Sequence, residues 1–126
     1  DRMIQSITIT GIKYDVDATT QKYIMKKIGR LDRFLPRHAR KSASVEVKLR
    51  EVNRKNGNKY EAEVLLNVPE KQLTAKDSTV NILAAIDIVE AKLATQLKKY
   101  KQTHIGHLGK TRNILSRLKR SYAREG

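Results

Sequence analysis

The chain has 126 residues, and its 27 Lys and Arg against 13 Asp and Glu give a formal net charge of +14. Cysteine is absent and aromatics make up only 5%, which excludes disulfide and thiolate chemistry and leaves aliphatic side chains to build the core. The length fits one domain of the common size, roughly 100–150 residues, and no apolar run approaches the ~18 residues of a membrane span or resembles a signal-peptide core. A cytoplasmic protein is expected. Asp1 and Arg2 ahead of Met3 read as an added remnant, with the natural chain starting at Met3.

In chain order, residues 4–12 alternate Ile7 and Ile9 with Ser6, Thr8 and Thr10, the period of a half-buried strand that Gly11 closes. The segment from Asp15 to His38 then places Ile24, Ile28, Leu31 and Leu35 on one helical stripe, with Asp17 as N-cap and Pro36 as stop. Gly29 inside that helix costs up to ~1 kcal/mol relative to Ala, so close packing or a backbone approach is expected there. Val45, Val47 and Leu49 alternate in a second strand, and Tyr60, Ala62, Val64, Leu66 and Val68 in a third. Asn56-Gly57 between them signals a hairpin turn. Val68 to Gln72 reads as another turn before a short strand carrying Leu73 and Ala75. A long helix from 79 to about 103 follows, its core stripe running through Leu83, Ile86, Glu90 or Val89, Leu93, Leu97 and Tyr100.

The order β-α-β-β-β-α, with one apolar face per strand and one apolar stripe per helix, predicts an α+β two-layer sandwich: a four-stranded sheet with both helices on one face. The other face, with Ser44, Glu46, Lys48, Arg50, Glu61 and Glu63, is expected to be wet. The domain spans 3–104. Residues 105–126 form a basic tail with too few apolar residues for a second core, and are expected to be flexible alone.

The charge is uneven. Residues 98–126 hold nine basic groups and one acid, and Lys22, Lys26, Arg30 and Arg33 follow one side of the first helix. Asp32 is the single acid between 18 and 35, so interleaved ion pairs do not explain that row. Nucleic acid is the expected partner rather than an anionic membrane, because the basic segments lack the Trp/Phe/Leu-rich face of an interfacial helix. The few, scattered tyrosines argue for recognition of backbone and shape over stacking on unpaired bases. His104 and His107 have metal-ligand spacing without an accompanying Cys or carboxylate, and no phosphate-loop, dinucleotide or nucleophile-elbow motif occurs. Neither an enzyme nor a metal or other cofactor is expected.

Two strings carry a family resemblance: ITITGIKYDVDATTQKYIMKKIGRLDRF, and the more specific AAIDIVEAKLATQLKKYK. Over Met3 to about His104 the chain resembles the ribosome hibernation-promoting factors, which include the ribosome-associated inhibitor called protein Y. The resemblance implies a fold related in shape to double-stranded-RNA-binding domains (dsRBD-like). It also implies an activity without catalysis: binding to the small ribosomal subunit in the channel for messenger RNA and A- and P-site transfer RNA, so that translation is blocked and ribosomes are stored inactive in stress or stationary phase. Competition with tRNA and mRNA follows, as does a monomer off the ribosome, in the cytoplasm or, if organellar, the plastid stroma. The rRNA-facing residues it implies are Lys27, Arg30, Arg33, Lys92, Lys99 and Lys101; periodicity adds Lys22, Lys26 and Lys98. Gln21 and Thr95 stand where many relatives carry Arg. The alternative is a general structured-RNA binder or RNA chaperone, which uses the same charge without preferring ribosomes.

Overall fold

The computed structural model describes the backbone of residues 3–125 and the side chains of residues 3–103. Asp1, Arg2 and the side chains of the expected tail lie outside the described residues. The elements are β1 (Ser6–Ile12), α1 (Ala18–Gly29), 3-10 segments at Arg30–Phe34 and Arg37–Ala39, β2 (Ser44–Glu51), β3 (Tyr60–Val68), β4 (Lys71–Thr79) and α2 (Ile82–Glu125). The sheet order is β1-β2-β3-β4, with β1 parallel to β2 and the other pairs antiparallel.

The register explains the core. Ile7, Val45, Leu66 and Leu73 form one row across the sheet, and Ile9, Val47, Val64 and Ala75 the next, all on the same face. Ile24, Ile28, Leu31 and Leu35 pack over these rows from α1 and the segment after it, and Ile86, Val89, Leu93 and Leu97 from α2. Leu83 and Tyr100 lie only partly buried at the margin of that stripe.

Local chemistry sets the ends of the elements. Asp17 caps α1 by accepting a hydrogen bond from the Thr20 N–H at 2.7 Å. The carboxylate is held below its ordinary range by the side-chain and backbone hydrogen bonds of Thr20. The α-helix expected to reach Leu35 stops at Gly29, whose carbonyl accepts from the Ile4 N–H at 3.1 Å. The chain then tightens into a 3-10 turn that keeps Leu31 and Leu35 buried up to Pro36. In the β2–β3 hairpin, Gly57 adopts φ +90 and its N–H closes a turn on the Arg54 carbonyl at 3.0 Å.

Three further expectations need correction. The last strand is nine residues long, not short, because it pairs with β3 along its whole length. Helix α2 begins three residues later than expected and its backbone continues to Glu125. Glu61 is not wet: it is only 3% exposed. Its carboxylate lies under Arg50 Nη1 at 3.0 Å and Arg54 Nη2 at 2.6 Å, while Arg50 Nη2 reaches Glu63 at 3.3 Å.

Candidate nucleic-acid interface

The two helices lie side by side on the sheet and run in the same direction. Between the second half of α1 and the start of α2, Tyr23 Oη donates to Asp87 Oδ1 at 2.5 Å and Lys27 Nζ lies 3.5 Å from the same oxygen. That hydrogen bond, reinforced by desolvation, raises the Tyr23 phenol above its ordinary value. Further along, Phe34 is flanked by the Arg33 guanidinium, 4.7 Å from the ring centroid, and by Lys98 Nζ of α2 at 5.1 Å. Phe34 thereby joins the basic end of α1 to the basic part of α2.

Of the nine candidate cations, Lys22, Lys26, Arg30 and Arg33 are exposed along the outer side of α1 and the segment after it. None of the four makes an ion pair among the described residues. Lys27 turns inward to Asp87, half-buried between the helices.

Those of α2 do not share one face. At about 3.6 residues per turn, Lys92 and Lys99 fall on the flank toward β4, and Lys98 and Lys101 on the flank toward α1. Lys92 Nζ pairs with Asp77 Oδ2 at 3.3 Å and donates to the Lys76 carbonyl at 3.2 Å; Gln96 donates to the Thr74 carbonyl at 2.9 Å. These two side chains cover the outer edge of β4, where backbone carbonyls lack a neighbouring strand. Lys99 instead lines a recess with Lys71 and His38.

The structure therefore assembles Lys22, Lys26, Arg30, Arg33, Lys98 and Lys101 along the α1 side, sets Lys99 on the opposite shoulder, and neutralises Lys27 and Lys92 locally. Sequence reading missed Phe34, although it is the single phenylalanine and sits between Arg33 and Leu35. It also missed Asp87 and Asp77, the acids that hold Lys27 and Lys92.

The open face of the sheet contrasts with this. Its strand residues carry Glu46, Glu61 and Glu63 against Lys48, Arg50 and Lys76, and Arg54 of the hairpin loop adds one cation on Glu61, a near balance in sign. A polyanion is attracted to the helical side, not the open face. Among the described residues no group of three or more His, Cys, Asp or Glu is placed to hold a metal ion, and no helix is long and apolar enough to cross a membrane. His104 and His107 lie outside the described side chains.

A mixed four-stranded sheet with two codirectional helices on one side defines an α+β domain, and among the described residues unpaired cations lie on its helical surface. The chain belongs to the family described as Sigma 54 modulation protein / S30EA ribosomal protein, whose family model matches residues 7–104. It is similar to a ribosome hibernation promotion factor of Deinococcus radiodurans, 30% identical over 102 residues, or 81% of this chain and 52% of that protein. Another of the same name, from Lactococcus lactis subsp. cremoris, is 32% identical over 95 residues, 74% and 48% of the two chains. The chain thus spans about half the length of the curated relatives it matches. Two solved structures share the fold at 23% identity: the Thermus thermophilus protein Y N-terminal domain, TM-score 0.64 over 76% of this chain and 99% of that one, and a ribosomal subunit interface protein from Coxiella burnetii, TM-score 0.61 over 77% and 98%.

Proposed function

We propose that the protein is a ribosome hibernation factor that binds the small ribosomal subunit in the channel for messenger RNA and A- and P-site transfer RNA, keeping ribosomes inactive under stress. The observation that carries this reading is the segregation of charge: unpaired cations gather on the helical side while the open sheet face is nearly balanced. Family membership and the names of the relatives supply the partner. The protein acts by occupancy, without catalysis. Arg30, Arg33, Lys98 and Lys101 contact rRNA phosphates, Lys22 and Lys26 extend the contact along α1, and Lys99 meets a strand on the far shoulder. It acts as a monomer where ribosomes are, in the cytoplasm or a plastid stroma, and its basic 105–126 segment follows the messenger path.

If six to ten phosphates are engaged, affinity falls by roughly 10³–10⁵ between 50 and 200 mM monovalent salt. Co-sedimentation with purified ribosomes, separated subunits and naked duplex RNA tests the reading. Binding to small subunits well above duplex of equal mass supports it. Equal binding to both establishes the general structured-RNA binder instead.

A further inference from the structure

Asp32 is only 3% exposed, yet its carboxylate takes part in no hydrogen bond or ion pair among the described residues. It lines a cleft of about 370 Å³ whose other walls include Gln5, Ser6, Arg40 and Lys41. Arg40 contributes a wall, and its Nε is buried without a hydrogen-bond partner. The carboxylate of a nearly buried residue and an arginine with an unsatisfied buried N–H thus line one cleft without forming an ion pair, and the unsatisfied N–H is costly as it stands. A ligand that satisfies both must present donors to the carboxylate and an acceptor to the arginine.

We propose that this cleft binds a guanine base, unstacked from an RNA strand that follows the neighbouring basic surface. A carboxylate accepts on two oxygens side by side, and among the four RNA bases guanine alone offers two adjacent donors on one edge, N1–H and the N2 amine. Its O6 stands next to them and accepts from arginine, the contact that also recognises guanine in duplex grooves. Adenine and cytosine offer one amine beside an acceptor, and uracil a single N–H between two carbonyls, so each leaves one carboxylate oxygen unused. Arg30 and Arg33 flank Asp32 in the chain and point outward, while Lys41 lines the cleft, so cations for the adjoining phosphates are present. The source of the guanine rests on the RNA-binding reading above; the recognition of guanine does not.

The test compares guanosine with inosine, which lacks the N2 amine. In the ¹⁵N-labelled full chain, GMP shifts the amide signals of Ser6, Asp32 and Lys41, and IMP binds about tenfold or more weakly, the loss of one charge-assisted hydrogen bond. An RNA hairpin with a single bulged guanosine likewise binds more tightly than its bulged-inosine counterpart. Asp32→Asn and Arg40→Gln each abolish this discrimination while thermal melts show a folded domain; Arg40→Gln, in the loop, keeps the test available if Asp32→Asn unfolds. Equal affinity for GMP and IMP, equal shifts from inorganic phosphate, or no shift at these amides would overturn the proposal, leaving a water-bridged structural pair. Discrimination by free GMP with none in the hairpin would overturn the RNA source. Because these readouts need no ribosome, loss of guanine preference and loss of ribosome binding are separately visible.

Discussion

Lys98→Gln and Lys92→Gln should affect RNA binding in sharply different ways, although the two lysines are six positions apart on one helix. Lys98 Nζ has no acidic partner among the described residues and rests 5.1 Å from the Phe34 centroid, so its charge is available to a phosphate. Removing one phosphate contact lowers the slope of log K against log salt by about 0.7–0.9, which shrinks the affinity lost between 50 and 200 mM by roughly threefold. Lys92 Nζ already sits 3.3 Å from Asp77 Oδ2. Its replacement removes a charge that Asp77 largely cancels, so the slope stays near that of the parent, and the exposed ion pair contributes at most about 1 kcal/mol to folding. Fluorescence anisotropy of the labelled protein with purified small subunits at a series of KCl concentrations measures both slopes. Equal reductions would refute the division into free and paired cations, and with it the placement of the binding surface on the α1 side.

Gly11→Ala should destabilise the domain by more than about 1 kcal/mol in urea titrations, since its Cβ would lie 1.9 Å from the Tyr14 carbonyl oxygen and the backbone must move. Glu70→Gly should stabilise it by about 1 kcal/mol, because Glu70 holds φ 68 after Pro69 in the tight turn between β3 and β4. Asp17→Ala should lower the melting temperature at neutral pH. The cap's contribution is present above pH 3.8, the ordinary Asp value, and is lost as acid protonates the carboxylate through its depressed folded value; Asp17→Asn keeps the cap and removes that acid dependence. Tyr23 has the opposite sign. Its folded value is raised above 10.0, so its contribution is complete below that pH and drains away as alkali ionises the phenol. Tyr23→Phe should remove that part of the alkaline loss, read by melts between pH 9 and 12.

The sandwich was legible because its signals are local. Alternation set the sheet faces at Val45–Leu49 and Ala62–Val68, the stripe Ile24, Ile28, Leu31, Leu35 set the first helix, and Asp17 marked its start. The misreadings arose where distant residues meet. Alternation assigned Glu61 to the open face correctly, but Arg50 and Arg54, which bury it, reach it through strand register and the hairpin loop. Periodicity marked Lys92 and Lys98 alike as exposed helix cations. Only the packing of α2 against β4 on one flank and Phe34 on the other separates them. Asp32 looked like one acid in a basic helix; its burial follows from the 3-10 turn after Gly29.

Displacement of fluorescent initiator tRNA from the P site of purified small subunits is the most direct measurement of the central claim. The account predicts that the protein competes tRNA off the subunit, and that Arg33→Glu with Lys98→Glu abolishes the competition while the domain stays folded. Simultaneous binding of protein and tRNA, or unchanged competition by the double variant, would contradict it.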